Sequence, residues 1–414
     1  MTDSKHVVPA LSLPVNFSIH EVGEIAKAAA INIAPNLGPL TAFTGTWTGR
    51  GFNTIFRPDS KITSTKFPGP VNTTDPADNV LELNLTDETL SFSPSLGSVP
   101  NRGSNNQADE FLNGVPYLQS INDITSGAAV GIHFEPGLWL AVPKTTNPQE
   151  PFTLARMASI PHGTTILAQG VALPTSHGKP VIAPVDITPF LGGQPNNLIH
   201  FQNQTAANQT TRRIPQNLAT FIAAGTITQA LLDDPNTMLR DQIAHQNIIQ
   251  TIAIEISTKP GSPLPRGPLP AGAHPSAPNF SGGTANIAFL QGQPVPPPGG
   301  PNSNSNSAQM DAVFWIETVV YEVAVPHLAA GTPPITLKPT LHGPVPLAPR
   351  FVASIPSVPG KSFAGGTVKV KTTQIQYSQK VLLDFNGLSW PHVSVATLIP
   401  AQPIPIPHDL LPLT

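Results

Sequence analysis

The chain has 414 residues, with 50 Pro, 32 Gly, 39% hydrophobic residues, only 11% charged residues and a formal net charge of −3. That hydrophobic share suffices for a packed core, and without a basic excess nucleic acid is a poor partner. The absence of Cys excludes disulfides, thiolate nucleophiles, Cys-zinc sites and iron–sulfur clusters, while no apolar run is long enough for a membrane span.

The opening MTDSKHVVPALSLP lacks the basic flank and apolar stretch of a secretory signal, so a cytoplasmic protein is expected. Residues 1–36 read as a tail and a short helix, His20 to Ala34, which Pro35 stops. From residue 37 the chain turns to strands. Candidate strands are 45–57, 79–93, 131–142 and 152–169, then 248–258, 311–325, 366–384 and 393–399. Many alternate apolar and polar residues, the period of a half-buried strand. Two stretches interrupt them. Residues 171–247 combine polar loops with two candidate helices, Pro215 to Ala224 and a second that Asp234-Pro235 opens and that runs to about Asn247. Residues 259–309 are rich in Pro, Gly, Ser and Asn and read as a stiff loop. Strand-like sequence resumes after each interruption. The expected fold is therefore all-β, one antiparallel barrel domain over 37–414, with a helical insertion near 171–247 and a long Pro-rich loop near 259–309.

No P-loop, GxGxxG, GxSxG or HExxH occurs. The 12 His are then the side chains whose ordinary pKa lies near neutrality.

Four segments together resemble the nitrobindin-like heme-binding barrels, a family with a calycin-like, fatty-acid-binding-protein-like fold. LGPLTAFTGTWTGRGF (37–52) resembles the family's opening plug and Gly-x-Trp-x-Gly-x-Gly strand, here Gly45, Trp47, Gly49 and Gly51. GIHFEPGLWLAVP (131–143) is similar to its His-x-Glu-x-Gly strand. FTLARMASIPHGTTILAQG (152–170) resembles the next strand pair, with His162 where the family turn has Thr. TTQIQYSQKVLLDFNGLSWPHVSVATL (372–398) resembles the final hairpin. The matched stretches cover about a third of the chain. The chain is more than twice the usual length of the family's domain. The segment 311–323 is more similar to the longer heme peroxidase-type relatives.

The resemblance implies heme b (iron protoporphyrin IX) as cofactor and His392 as the iron ligand through an imidazole nitrogen. It implies a cavity position for His133. That residue shares a strand face with Glu135, and the residues alone allow a surface ion pair equally well. His162 reads either as a solvated turn residue or as the group that moves a proton on peroxide. Arg156 reads as a partner of the heme propionates or as a rim Arg, and Trp47 as core or pocket wall. Trp315 and Tyr377 are candidate oxidisable side chains. The expected function is a peroxidase-type enzyme that reduces hydrogen peroxide and oxidises a small organic co-substrate, with a homo-oligomer open. The alternatives are a heme protein that binds nitric oxide or isomerises peroxynitrite, and a non-enzymatic carrier of an apolar ligand.

Overall fold

Alternating sequence and short Gly and Asn turns build ten long strands: β1 (Gly45–Pro58), β2 (Asn79–Phe92), β3 (Glu110–Asp123), β4 (Val130–Val142), β5 (Thr153–Ile160), β6 (Thr164–Ala172), β7 (Asn247–Ser257), β8 (Asn306–Val325), β9 (Gly366–Phe385) and β10 (Leu388–Pro400). The structure is a computed structural model that describes residues 36–59, 79–104, 106–147, 149–259, 282–287, 290 and 305–414. The helix expected within 20–34 and most of the stretch 259–309 lie outside the described residues.

Each strand pairs antiparallel with the next, and β10 returns to β1. The β6–β7 ladder, Ile254 opposite Ala172 through Ser257 opposite Gln169, closes the ring. Closure removes the unpaired edges that an open sheet would leave. The outcome is the all-β, antiparallel barrel expected from the alternation. Both long interruptions fall between consecutive strands, before and after β7. At the β9–β10 turn Asn386 (φ 51°) and Gly387 (φ 74°) both adopt left-handed backbone. This is the two-residue Asn-Gly hairpin that matches strand twist, and it fixes the register in which Val381 faces His392.

Two cores share the barrel wall. The inner core is aromatic: Phe43, Trp47, Phe92, Tyr117, Trp139, Phe314 and Tyr377 fill one end, beneath the 3-10 turn Gly38–Ala42. The outer core lies between the wall and the 173–246 insertion. It includes Phe52, Phe56, Leu81, Leu83, Val393 and Val395 from the wall and Leu218, Leu231, Leu239 and Ile243 from the insertion. The insertion carries α1 (Ala219–Ala223), α2 (Gln229–Asp233) and α3 (Thr237–Ile243).

This second core inverts the usual pattern in half of the barrel. On β2, Leu81 and Leu83 point outward under the insertion, while Glu82, Asn84, Thr86 and Glu88 share the other face. On β10, Val393 and Val395 point outward and His392 and Ser394 inward. Asn53 of β1 donates to Ser394 Oγ at 2.8 Å across that interior. One end of the barrel is thus oily and filled, the other polar inside.

The helices are shorter than the sequence pattern suggests. The first begins at Ala219, not Pro215, where Asn217 Oδ1 accepts the Ala219 N–H at 2.8 Å. Asp234 does not cap the third helix. Its Oδ1 accepts from Asn236 N and Val185 N, both at 3.0 Å, and Asn236 sits at the N-cap. Asp234 thereby ties two parts of the insertion together and the helix starts two residues later.

Arg213 organises the loop before α1. It is fully buried. Its guanidinium donates to the carbonyls of Asn203, Thr205, Ala206, Asn208 and Gln216 at 2.7–3.3 Å. Burial lowers its pKa to about 10, still well above neutrality. Arg213→Met leaves those carbonyls without their donor and is expected to cost about 1–3 kcal/mol. A urea midpoint unchanged from wild type would show the loop to be held by other contacts.

Candidate functional site

Three histidines from three elements meet at the polar end of the barrel. His392 comes from β10, His133 from β4, and His162 from the β5–β6 turn Pro161-His162-Gly163. Gly163 (φ 111°) allows that turn, and its N–H reaches the Ile160 carbonyl at 2.9 Å. The rings of His133 and His162 lie 5.4 Å apart between centroids. Both are near enough to His392 for their charge to lower its pKa.

His392 has a defined tautomer. Its Nδ1 is 2.9 Å from the Thr54 carbonyl oxygen, at the point where the β1–β10 ladder ends. A carbonyl only accepts, so Nδ1 carries the proton and Nε2 keeps its lone pair. Burial drives the pKa down to about 4, against the Thr54 hydrogen bond and with help from His133 and His162. The ring is neutral at neutral pH and offers an uncommitted nitrogen.

Under the histidines lie two buried carboxylates. Glu135 accepts from Arg156 Nη2 at 2.5 Å, from the Tyr117 hydroxyl, and faces His133 Nε2 at 3.1 Å. Burial alone raises a carboxyl pKa. Here the Arg156 guanidinium, with His133 and Tyr117, outweighs it and holds Glu135 down to about 2. An ionised Glu135 fixes the proton of His133 on Nε2 and leaves Nδ1 as its basic nitrogen. Glu88 accepts from the Tyr377 hydroxyl at 2.7 Å, Thr86 Oγ1 at 3.0 Å and Gln119 Nε2 at 3.3 Å. Burial raises its pKa, opposed by those three donors and by His133.

His162 is more exposed. Burial, then His133, lowers its pKa, while its bond to the Ile132 carbonyl raises it. That bond ties one ring nitrogen down as a donor.

The structure places two further expected site residues, Arg156 and Trp47, inside the barrel. Arg156 is 2% exposed and fully engaged inside the barrel. Nε donates to Tyr117 at 2.8 Å and Nη1 to Gln379 at 2.7 Å, besides the pair with Glu135. It serves the interior and does not stand at the rim to meet propionates. A basic group at the polar end is Arg57, paired with Glu82 at 3.1 Å. Trp47 lies in the aromatic plug, with Nε1 bonded to the Thr44 carbonyl at 2.8 Å. It is seven positions along β1 from Thr54, roughly 23 Å from the His392 level, and is a packing residue. Trp315 belongs to the outer core, whereas Tyr377 faces inward.

Sequence reasoning missed Glu88, Tyr117, Gln119 and Gln379. Strand β3 itself was not anticipated, because Gly114, Pro116, Ser120 and Asn122 weaken its strand pattern. A signal was present in β2: the run Glu82, Asn84, Thr86 alternates with Leu81, Leu83 and Leu85 and continues past Asp87 to Glu88, and only its direction was ambiguous.

Among the described residues, no group of three or more His, Asp or Glu converges as a metal-ion site, and none of the helices is long and apolar enough to cross a membrane. No protein-family model matches the chain, and no curated protein is similar to it. One solved structure, described as the crystal structure of Rv2717c from M. tuberculosis, overlaps 90% of this chain and all of its own, at 11% identity and a TM-score of 0.31. That level of similarity carries no information on function.

Proposed function

We propose that the chain is a heme-binding barrel of the peroxidase type, with His392 as the iron ligand, hydrogen peroxide as one substrate and a small organic molecule as the other. The observation that carries this reading is the fixed tautomer of His392, whose Nε2 lone pair is uncommitted in the polar end of the barrel. A metal ion held by protein alone needs several converging donors. Heme iron brings four nitrogens of its own and needs one imidazole, which fits a lone available nitrogen. When bound, heme supplies the redox-active iron on which the oxygen–oxygen bond of peroxide is cleaved.

The chain's own groups favour peroxide over gas binding. His133 takes a proton at Nδ1 and returns it, while Glu135 holds its Nε2–H and stabilises the cation that forms. This gives His133, more than His162, the support a proton carrier needs. His162 adds a second imidazole beside it.

Titration with hemin tests the reading. Wild type is expected to give a 1:1 complex with an intense band near the violet edge of the visible. His392→Ala is expected to weaken binding at least about tenfold. Peroxide-dependent oxidation of a phenolic dye is then expected to drop in His133→Ala by about a hundredfold or more, and less in His162→Ala. A wild-type protein that does not take up hemin overturns the proposal and leaves the apolar-ligand carrier. Uptake with no dye oxidation leaves the nitric oxide or peroxynitrite reading.

A further inference from the structure

We propose that Tyr377 and Glu88 form a built-in redox site, at which Tyr377 gives up one electron while its phenolic proton passes to Glu88. The inference rests on the function proposed above for its oxidant, and on geometry for its place.

The chain contains three Tyr, and Tyr377 differs from the other two in its hydrogen bonds. Its hydroxyl donates to Glu88 Oε2 at 2.7 Å, within a fully protein-lined setting. Tyr117 also meets a carboxylate, but Arg156 Nε donates to the same hydroxyl at 2.8 Å. That cation disfavours electron loss there. Tyr321 accepts from Gln246 at 2.9 Å and lies in the outer core, away from this pair. Around Glu88 stand three donors, Tyr377, Thr86 and Gln119. A carboxylate that receives three donors is set to hold a negative charge at rest and to accept a proton. Its burial strengthens that affinity.

The charge balance separates the two tyrosine–carboxylate pairs. Oxidation at Tyr377 turns a phenol and a carboxylate into a neutral phenoxyl radical and a neutral acid. The buried charge is thus removed, which a low-dielectric setting favours. At Tyr117 the same step leaves the Arg156 cation unbalanced. Tyr377 also stacks on Phe314 (5.5 Å, 29°), and Phe314 meets Trp139 edge-on (5.1 Å, 88°). The Arg156 guanidinium lies over both Phe314 and Trp139, at 5.4 and 5.9 Å. It opposes onward movement of the electron vacancy to Trp139. Tyr377 pairs with Ala396, four positions along β10 from His392, a separation of roughly 13 Å.

Hydrogen peroxide takes up two electrons and two protons to give two waters. One electron comes from the Tyr377 ring, and its proton waits on Glu88. A phenolic co-substrate then gives one electron and one proton, the Glu88 proton returns to Tyr377, and the resting pair is restored. A second co-substrate molecule supplies the other electron and the second proton, and the protons of both co-substrate molecules end in the two waters.

The test uses the full chain without heme. A photo-generated ruthenium(III) polypyridyl oxidant is flashed in its presence, and the radical is followed by electron paramagnetic resonance and transient absorption. A tyrosyl signal is expected in wild type and Tyr117→Phe, and is expected to be lost in Tyr377→Phe. Glu88→Gln keeps the phenol but removes the acceptor, and the signal is expected to form at least tenfold more slowly. Equal signals in wild type and Tyr377→Phe, or no signal in wild type, overturn the proposal. An unchanged rate in Glu88→Gln overturns the role of the carboxylate. Hemin-loaded protein with peroxide is a separate arm. A Tyr377 signal in the first arm with no hemin uptake refutes the heme reading and leaves the redox pair standing, and hemin uptake without a Tyr377 signal in either arm does the reverse.

Discussion

Substituting Glu135 by alanine is expected to cost about 3–5 kcal/mol of folding stability. The carboxylate is fully buried and faces Arg156, Tyr117 and His133. Removing it leaves the Arg156 cation in the interior with Gln379 and Tyr117 as its partners. Neither can neutralise it. The acid side reports the same interaction. The Glu135 pKa is depressed to about 2 from an ordinary 4.5. Its contribution is therefore complete above pH 4.5 and is lost as pH falls from there to about 2, about 3.5 kcal/mol at about 1.4 kcal/mol per unit. Urea unfolding of wild type, Glu135→Ala and the double variant Glu135→Ala/Arg156→Met separates the effects. The double variant is expected to regain part of the loss, because neither charge then remains unpaired. A single variant as stable as wild type would show that the pair adds nothing to the fold.

Glu317 is expected to make the protein less stable in mild alkali. It is fully buried at the seam between the wall and the insertion. Gln374 donates to its Oε2 at 2.6 Å and exchanges bonds with Gln246 at 2.9 and 3.0 Å, and Gln246 reaches Tyr321 at 2.9 Å. Gln242 of α3 bonds both the carbonyl and the N–H of Leu347. Burial, opposed only by the Gln374 bond, pushes the Glu317 pKa up to about 8. The folded state thus binds a proton that the unfolded chain releases above 4.5. Stability from this group is full below 4.5 and declines as pH rises to about 8, by about 5 kcal/mol in total. Tyr321, the titratable neighbour, is itself pushed upward and stays neutral. Glu317→Gln keeps the shape and removes the proton. The urea midpoint should fall from about pH 5 to about pH 9 in wild type and much less in the variant. Parallel profiles would rule out Glu317 as the source.

The barrel was legible because its strands keep a period of two and end at recognisable turns, such as Asn386-Gly387. The assignment of faces was not. An alternating strand tells which residues lie together, and the assumption that leucines point inward fails for β2, where an insertion covers the outside. Glu88 and Thr86 therefore look like surface residues in the sequence. The two carboxylate clusters were hidden for a second reason. Tyr377 and Glu88 are 289 positions apart and Arg156 and Gln379 are 223 apart, so closure of the ring, which no local pattern encodes, brings them together. His133 and His162 were found as residues, but the tie from Glu135 to His133 depends on Arg156 keeping the carboxylate ionised. Asp234-Pro235 carried a helix-start signal that a nearby backbone N–H, that of Val185, diverted.

The double cladding of β1, β2, β9 and β10 has a dynamic counterpart. Those strands contribute buried side chains to both cores, whereas β3 and β4 present Leu118 and Phe134 to solvent at 41% and 49% exposure. Backbone amides of the clad half should exchange with deuterium only on global unfolding, and those of the bare half by local opening. The barrel thus breathes on one side, the side that carries His133, while the strand that holds His392 stays still.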